Sequence, residues 1–381
     1  MEQNKIYSST QETPLKVIIS GGGTGGHIYP AISIANALKQ RVTDVSILFV
    51  GAEGRMEMEK VPAAGYPIVA LPVEGLQRKL TLKNLLLPYK IWKSIRRASA
   101  IIKKFEPDVV VGVGGYVSGP VLWAAQRKKI PTLLQEQNSY AGVTNKILAK
   151  RATKICVAYE GMEKFFKKEK ISLLGNPVRQ DLQRNEESLR VEAAAFFGLD
   201  AKKKTVLIVG GSLGARTLNQ TMKNALPDVV NSDVQFIWQT GKLYFEQAKT
   251  AAQLATNVKV YDFIYRMEYA FALADVVISR AGAGTISELC VVAKPCIFVP
   301  SPNVSEDHQT KNAQALVVKN AALMITDANA STQLIPTALE LLKNETHCKE
   351  LQNNIAALAK PNAAQDIVDE LLKLLDNRKN K

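Results

Sequence analysis

Four glycine-rich segments contain most of the residues that could do chemistry in this chain. They read GGGTGGH at residues 21–27, GVGGYVSGP at 112–120, GGSLGA at 210–215 and SRAGAGTISEL at 279–289. Glycines allow positive φ angles and close backbone approach to a ligand, and a following helix offers free N–H groups to an anion. The segments therefore predict phosphate-binding loops in both halves of the chain.

Polar side chains in these segments supply further reactive groups. His27 ends the first loop, and an imidazole titrates near neutral pH, so His27 is a candidate general base. A histidine at a helix start also commonly does no more than hydrogen-bond a loop carbonyl. Thr285 and Ser287 are residue types that cap helices, and Glu288 is expected in the first helical turn. Glu288 either complements the helix dipole there or accepts hydrogen bonds from ribose hydroxyls.

Each loop follows a short apolar run rich in β-branched residues, which predicts a buried strand. The predicted strands lie at residues 16–20, 46–50, 108–113, 131–135, 205–209, 234–239, 258–261, 275–279 and 295–299. Helices are predicted over about 30–40, with Pro30 in the first turn, and over about 215–226. Strands that alternate with helices indicate a parallel sheet covered on both faces. The fold class is therefore α/β, with two Rossmann-like doubly wound domains.

The strand–loop–helix pattern restarts near residue 204, after a charged stretch at 175–199 that we interpret as the linker. We predict an N-terminal domain over residues 15–177 and a C-terminal domain over 178–360. Residues 1–14 are expected to form a flexible polar leader without the apolar core of a secretory signal. An amphipathic helix over 363–377 is expected to pack back on the N-terminal domain.

Composition favours an anionic partner. The 381 residues carry a formal net charge of +14, which suits nucleic acid, an acidic membrane face or phosphorylated substrates. No apolar run reaches the ~18–20 residues of a membrane-spanning helix. The four cysteines lack CxxC spacing and the three histidines lie in no Cys/His/Asp cluster, so we expect no built-in metal site.

A basic and apolar stretch lies at residues 76–104, which contain nine Lys or Arg residues and no Asp or Glu. Cations interleaved with Leu85, Leu86 and Trp92 are typical of a segment that binds a membrane interface. An ordinary surface helix with its apolar face in the core is the alternative. We predict membrane contact through these three side chains.

Two other function classes are open at this point. Gly21, Gly23 and Gly26 also fit G-x-G-x-x-G, and Glu53 after the second strand could bind the ribose of a dinucleotide. That reading predicts one cofactor site and leaves the loops of the second half unused. A nucleic-acid-binding protein would explain the charge, but zinc-finger spacing and an RNP motif are missing from the sequence.

Seven motifs together carry a resemblance to a known family: GGGTGGHIYPA, VGVGGYVSGP, EQNSYAGVTNK, GNPVR, GGSLGAR, SRAGAGTISE and EDHQTKNA, in that order over residues 21–313. They resemble the peptidoglycan N-acetylglucosaminyltransferases that convert lipid I to lipid II. The resemblance implies a GT-B fold, whose two Rossmann-like domains face each other across a cleft. It implies inverting transfer from UDP-N-acetylglucosamine to the 4-hydroxyl of N-acetylmuramoyl-pentapeptide-pyrophosphoryl-undecaprenol.

The resemblance further implies a peripheral protein on the anionic cytoplasmic face of the bacterial inner membrane. We expect no obligatory cofactor or metal, because helix N-termini after the loops of the second half can stabilise the leaving phosphates. We also expect no nucleic-acid partner. A transferase of the same fold that acts on another lipid or glycoside is the remaining alternative.

Site residues follow from the same resemblance. The donor UDP-sugar is assigned to Thr24, Gly25, Gly26, Asn138, Arg179, Ser212, Ile264, Ala283, Gly284, Thr285, Ile286, Ser287, Glu288 and Gln309. The acceptor is assigned to Gly22, Gly23, Gly114, Gly115 and Tyr116. Within the donor set, Ser212 is expected at the pyrophosphate, Ile264 at uracil, Glu288 at the ribose and Gln309 at the sugar hydroxyls.

Overall fold

The structure, a computed structural model, describes residues 14–73, 87–179, 182, 187–211 and 213–379. Leu85, Leu86, Ser212 and the leader up to residue 13 lie outside the described residues. The chain forms two compact units, one ending at Val178 and resuming at Asn362, the other running from Arg179 to Pro361. Among the described residues, no helix combines the length and apolar character needed to cross a bilayer.

The first unit is built on a seven-stranded parallel sheet. Its strands are β1 (Leu15–Gly21), β2 (Val45–Ala52), β3 (Ile68–Leu71), β4 (Val109–Gly114), β5 (Thr132–Glu136), β6 (Lys154–Val157) and β7 (Ile171–Leu173). They lie in the order β3-β2-β1-β4-β5-β6-β7, and every pairing is parallel. All six residues of β4 are buried, which fits its unbroken apolar run, because helices cover both faces of a parallel sheet.

Five helices of the first unit follow these strands: α1 (Gly25–Arg41), α2 (Glu57–Ala63), α3 (Leu87–Phe105), α4 (Ser118–Arg127) and α5 (Val143–Ala149). Helix α1 begins five residues before its predicted start, because Thr24 is already the extended N-cap residue. Pro30 therefore lies inside the helix and not in its first turn. Since proline has no backbone N–H, it cannot donate to the Gly26 carbonyl one turn earlier.

The second unit contains a six-stranded parallel sheet. Its strands are β8 (Thr205–Val209), β9 (Gln235–Gln239), β10 (Val258–Tyr261), β11 (Val276–Ser279), β12 (Cys296–Phe298) and β13 (Leu323–Met324). They lie in the order β10-β9-β8-β11-β12-β13. The loops after β8 and β11, which are neighbours in the sheet, therefore leave the same edge side by side. This is the adjacent-strand geometry in which doubly wound folds place their ligands.

The helices of the second unit are α6 (Glu187–Phe197), α7 (Arg216–Val230), α8 (Phe245–Ala251), α9 (Met267–Leu273), α10 (Ala283–Val292), α11 (His308–Val317), α12 (Ala330–Lys343) and α13 (Glu345–Ala356). Helix α6 lies within the charged stretch that we interpreted as linker, and it packs on α9. Arg190 of α6 holds it in place through the carbonyls of Ala201 and Leu273 and the carboxylate of Asp275.

The last helix, α14 (Ala363–Lys379), packs on α1 in the first unit. Its large buried side chains are Ile367, Val368, Leu371, Leu372 and Leu375. The polar edge of α14 is tied to β6 and β7, because Glu370 Oε2 lies 2.8 Å from Lys154 Nζ and accepts from Ser172 Oγ at 3.2 Å. Helix α14 therefore belongs to the first unit.

Candidate active site

The first glycine loop is held by Glu57, a residue that sequence analysis did not select. Glu57 is fully buried, and its carboxylate accepts hydrogen bonds from the N–H groups of Gly23 and Ala52, both at 2.9 Å. A Cβ atom at Gly22 would lie 2.1 Å from Glu57 Oε1, so the carboxylate can reach the loop only past a glycine. Glu53, the acid considered for a dinucleotide ribose, is exposed.

His27 is oriented by the backbone of the first two glycine loops. Its Nδ1 lies 3.0 Å from the Gly22 carbonyl oxygen and 3.3 Å from Thr24 Oγ1. Because a carbonyl can only accept, Nδ1 carries the proton, and Nε2 is the acceptor nitrogen of the neutral ring. Gly114 has φ of +102°, and a Cβ atom there would lie 2.8 Å from Nε2. The second loop therefore packs against the edge of the ring that could take a proton.

The residues predicted to bind the acceptor lie close together. Gly21 pairs with Gly114 at the ends of β1 and β4, and a Cβ atom on Gly115 would meet the Gly22 carbonyl oxygen at 2.4 Å. Tyr116 follows these glycines with its ring exposed. The Gly23 N–H is already engaged by Glu57, so an anion at this loop has the first-turn N–H groups of α1 as its other donors.

The EQN segment forms a buried polar network in which Glu136 organises the loop after β5. The Glu136 carboxylate accepts from Asn138, from the Gly142 N–H at 3.0 Å and from Asn145 Nδ2 at 2.8 Å. Burial raises the pKa of Glu136, although the hydrogen bonds from Asn145, Asn138 and Gly142 oppose that shift. Asn138, a predicted donor contact, is thereby fixed by its neighbour two residues earlier.

The GNP segment is joined to the same network. Asn176 Oδ1 accepts from Gln135 Nε2 at 2.9 Å, and Asn176 Nδ2 donates to the Gln137 carbonyl at 3.0 Å. Asn176 is buried, and it lies three residues before Arg179, where the second unit begins. In this motif, Asn176 therefore stabilises the first unit, and Arg179, a predicted donor contact, belongs to the second unit.

A cavity of about 760 Å³ opens at the edge of the second sheet. It is lined by the loop after β8, the loop after β11, the segment after β12 and the start of α12. The lining includes Gly210, Gly211, Arg216, Thr217, Thr221, Arg280, Gly282, Thr285, Ser301, Gln309, Asp327 and Ser331. Helices α7, α10 and α12 all begin at this cavity, so three sets of free backbone N–H groups surround it.

Arg280 and Arg216 are the two arginines among the residues that line this cavity, and neither was a predicted site residue. Arg280 is the one with a fixed position. Its Nη1 donates to the carbonyls of Val299 and Pro300 and to Asp327 Oδ1. Its Nε and Nη2 make no hydrogen bond with the residues that the structure describes. Gln309 lies nearby with Oε1 accepting from the Ser301 N–H at 2.8 Å, which turns its amide nitrogen away from that contact.

Among the residues assigned to the donor, Thr285 and Gln309 line the cavity, and others lie beside it. Glu288 lies in the second turn of α10 and not in the first, because the helix already begins at Ala283 after an N-cap at Gly282. Its Oε1 is 3.6 Å from Arg179 Nε. Ser287 does not cap the helix but donates to the Ala283 carbonyl at 3.0 Å.

The other assigned residues of the second unit lie around the same edge. Ile264 is buried on the loop after β10, and Gly284 and Ile286 lie in the first turn of α10. Thr24, Gly25, Gly26 and Asn138 belong to the first unit. Within the described ranges, no group of three or more His, Cys, Asp or Glu side chains could hold a metal ion.

Models of known protein families match both units of the chain. The profile of the glycosyltransferase family 28 N-terminal domain matches residues 17–157, and that of the family 28 C-terminal domain matches residues 205–371. A relative from Parabacteroides distasonis is 57% identical over 95% of this chain and 99% of its own length. The chain belongs to glycosyltransferase family 28.

Two relatives of high identity carry the same name. The Parabacteroides protein is a UDP-N-acetylglucosamine--N-acetylmuramyl-(pentapeptide) pyrophosphoryl-undecaprenol N-acetylglucosamine transferase. So is a relative from Phocaeicola vulgatus, 58% identical over 96% of this chain and 98% of its own length. The resemblance stated from the seven motifs is confirmed.

Solved structures agree with the family 28 assignment. MurG of Acinetobacter baumannii is 30% identical, covers 94% of this chain and 100% of its own, and superposes with a TM-score of 0.77. A UDP-GlcNAc 2-epimerase from Neisseria meningitidis, 15% identical over 94% of this chain and 100% of its own, shares the fold with a TM-score of 0.67. The predicted class of two Rossmann-like GT-B domains is confirmed.

Proposed function

We propose that the protein transfers N-acetylglucosamine from UDP-N-acetylglucosamine to the 4-hydroxyl of N-acetylmuramoyl-pentapeptide-pyrophosphoryl-undecaprenol, which converts lipid I to lipid II. Family 28 relatives above 50% identity over nearly the whole chain are named for this donor and this acceptor. The observation within the chain that carries the proposal is the cavity of the second unit, where Arg280 and three helix starts converge.

That cavity has the chemistry of a nucleotide-diphosphate site. Backbone N–H groups at a helix start and the positive end of the helix dipole favour phosphate oxygens. Arg280 adds a fixed positive charge, and its remaining N–H groups suit a planar pair of phosphate oxygens. Thr285 and Gln309 add hydrogen-bonding groups at the rim. Ser212, assigned to the pyrophosphate, belongs to this loop by sequence.

The reaction breaks the bond between the anomeric carbon and the UDP oxygen, and it forms a bond from that carbon to the acceptor 4-oxygen. Negative charge grows on the departing diphosphate, where preorganised donors are worth most in the transition state. We propose that Arg280 and the N–H groups at the starts of α7 and α10 stabilise this charge. UDP leaves from the opposite side to the attacking oxygen, so the linkage inverts to β-1,4.

The proton of the acceptor hydroxyl needs a base, and we propose His27 Nε2. The Nδ1 proton held by the Gly22 carbonyl leaves Nε2 as the basic nitrogen of the ring. A histidine fixed through its other nitrogen needs no reorientation before proton transfer, which general-base catalysis requires. We propose that the acceptor pyrophosphate binds at the neighbouring loops, through Gly22, Gly23, Gly114 and Gly115, with Tyr116 beside it.

We further propose that the protein binds the anionic cytoplasmic face of the inner membrane through the surface of α3, α4 and α5, here called the α3–α5 face. Trp92 of α3 is 53% exposed and stacks with Tyr89 at 6.1 Å. Trp123 of α4 and Ile147 of α5 are also exposed, and α4 packs on both α3 and α5.

Cations accompany this apolar surface. The guanidinium of Arg96 lies 5.4 Å from the Trp92 ring and that of Arg127 lies 5.1 Å from the Trp123 ring. Exposed aromatic rings next to cations suit the headgroup region of an anionic leaflet. Leu85 and Leu86 remain predicted members of this surface.

Vesicle co-sedimentation tests the α3–α5 face. Replacing Trp92 and Trp123 by serine should reduce binding to vesicles that contain anionic lipid, and transfer to a water-soluble acceptor should persist. Leu254→Ser is the matched control, because Leu254 is exposed on the second unit. Equal binding of all three proteins would remove this surface from the proposal and leave the transfer reaction untouched.

The reaction itself is tested with UDP-N-acetylglucosamine radiolabelled in the sugar and a short-chain lipid I analogue. Wild-type protein should produce labelled lipid, and Arg280→Ala should reduce kcat/KM about 10²–10³-fold, as removal of one preorganised donor typically does. Arg190→Ala is the control for loss of a structural arginine in the same unit. Equal activity of Arg280→Ala and wild type would refute the assignment of the diphosphate site.

A further inference from the structure

One carboxylate joins the segments that line the cavity of the second unit. Asp327 Oδ2 accepts from Thr217 Oγ1 at 2.8 Å, and Thr217 lies in the first turn of α7. Asp327 Oδ1 accepts from Arg280 Nη1 at 2.5 Å. Asp327 itself lies between β13 and α12. The loops after β8, β11 and β13 therefore meet at this side chain.

Arg280 extends the connection to a fourth segment. The Nη1 that binds Asp327 also donates to the carbonyls of Val299 and Pro300, at 3.0 and 3.2 Å. Both carbonyls follow β12 and precede Ser301, whose N–H binds Gln309. Within the described part of the chain, all protein acceptors of the guanidinium thus lie on its Nη1 side, and Asp327 supplies the charged one.

The contact between Asp327 and Arg280 also determines the charge on the cavity wall. Asp327 places a carboxylate on the wall of a cavity that we propose binds a diphosphate, where a negative charge alone would repel the ligand. Arg280, which lies within hydrogen-bond distance of it, offsets that repulsion. Arg280 in turn is partly buried, with 16% of its side chain exposed, so its conformation depends on the acceptors that hold it.

We infer that Asp327 is the positioning residue for Arg280: it fixes Nη1 against the wall so that Nε and Nη2 are directed at the diphosphate of the donor. The inference rests on the proposed function, because it needs a phosphate-bearing ligand in this cavity. Asp327 does not touch the ligand, and its effect is transmitted through Arg280 and, to a lesser extent, through Thr217.

If Asp327 acts through Arg280, Asp327→Asn should change the UDP affinity in opposite directions in the presence and in the absence of Arg280. With Arg280 present, Asp327→Asn should weaken UDP binding about tenfold, since the guanidinium loses its charged acceptor. With Arg280 replaced by alanine, Asp327 loses its paired cation and its negative charge repels the diphosphate. Asp327→Asn should then strengthen UDP binding about tenfold relative to Arg280→Ala alone.

Titration calorimetry with UDP measures these four proteins, and thermal unfolding of each checks that it is folded. Asp233→Asn in both backgrounds is the control, because Asp233 is an exposed aspartate of the same unit that pairs with Lys203, away from the cavity lining. If Arg280→Ala does not fold, Arg280→Gln takes its place. Thr217→Val should weaken UDP binding about threefold, and Thr217→Ser should restore it, because serine keeps the hydroxyl donor.

The outcomes separate the inference from the proposed function. If Asp327→Asn weakens UDP binding by the same factor with and without Arg280, the positioning role is overturned and the contact is only structural. Wild-type protein that binds no UDP would overturn the proposed function and the inference with it. Wild-type binding with the predicted reversal of sign supports both.

Discussion

Replacing Gly22 by alanine tests how the first glycine loop is built. The new Cβ atom would lie 2.1 Å from Glu57 Oε1, a distance that non-bonded atoms do not tolerate. The Glu57 carboxylate would have to leave its place, and with it the hydrogen bonds to the N–H groups of Gly23 and Ala52. Hydrogen bonds to a charged group contribute about 1.5–3 kcal/mol each, so the pair is worth about 3–6 kcal/mol.

A loss of this size is a large part of the ~5–15 kcal/mol by which domains are usually stable. Glu57→Ala should produce a similar loss, because it leaves the same two N–H groups buried without their acceptor. The double substitution is informative, since Glu57→Ala creates the space that the methyl group of alanine at position 22 needs. The free energy of unfolding of the double variant should therefore equal that of Glu57→Ala within about 0.5 kcal/mol.

Hydrogen exchange and transfer kinetics measure the two consequences. The amides of Gly23 and Ala52 should lose protection in both single variants. The value of kcat/KM for the acceptor should fall about 10²-fold, the usual effect of a displacement near 1 Å. Gly54→Ala is a poor control because its φ is positive, so Ala63→Gly on the exposed end of α2 is used instead. Additive losses in the double variant would refute the reasoning.

Further predictions concern catalysis and stability. His27→Gln should lower kcat about 10²–10⁴-fold with UDP affinity unchanged, measured by transfer kinetics and calorimetry, and normal turnover would exclude His27 as the base. Thr221→Val should raise the free energy of unfolding by about 1 kcal/mol in urea denaturation, because the buried Thr221 Oγ1 makes no hydrogen bond with the described residues. Burial alone would raise the pKa of Glu370, but hydrogen bonds from Lys154 and Lys373 outweigh it and lower the pKa from 4.5 to about 2. Stability from these contacts should thus be complete above pH 4.5 and be lost as the pH falls toward 2, and Glu370→Gln should flatten that pH dependence in thermal unfolding.

Most of the strands that sequence predicted are buried along an unbroken apolar run. β1, β4 and β8 lie inside the sheets, so helices on both faces demand apolar residues at every position. β3, β6, β7 and β13 were not predicted. β6 lies inside its sheet, but its four residues begin with a lysine and form too short an apolar run. The other three lie at sheet edges, and β7 and β13 have only three and two residues and are only partly buried. An edge strand of that length carries no period or run that sequence analysis can detect.

The candidate site also contains some residues that sequence could predict and others that it could not. Glycine loops were predictable because their backbone geometry requires a residue type that is visible locally. Glu57 and Asp327 were not, because each acts on a loop far away in sequence: Glu57 on Gly23, and Asp327 on Arg280. Only the sheet order brings those pairs together, and an acid in a helix or loop looks like any surface charge. The start of α10 explains the misplaced turn of Glu288, since glycine and alanine left several positions open for the N-cap.

The most direct test of the central claim is product analysis after incubating the protein with UDP-N-acetylglucosamine and a short-chain lipid I analogue. Mass spectrometry should show an acceptor heavier by one N-acetylhexosamine, with one UDP released for each sugar transferred. The coupling constant of the new anomeric proton should identify a β linkage to the 4-oxygen of the muramoyl sugar. UDP release without a glycosylated lipid, or an α-linked product, would contradict the account.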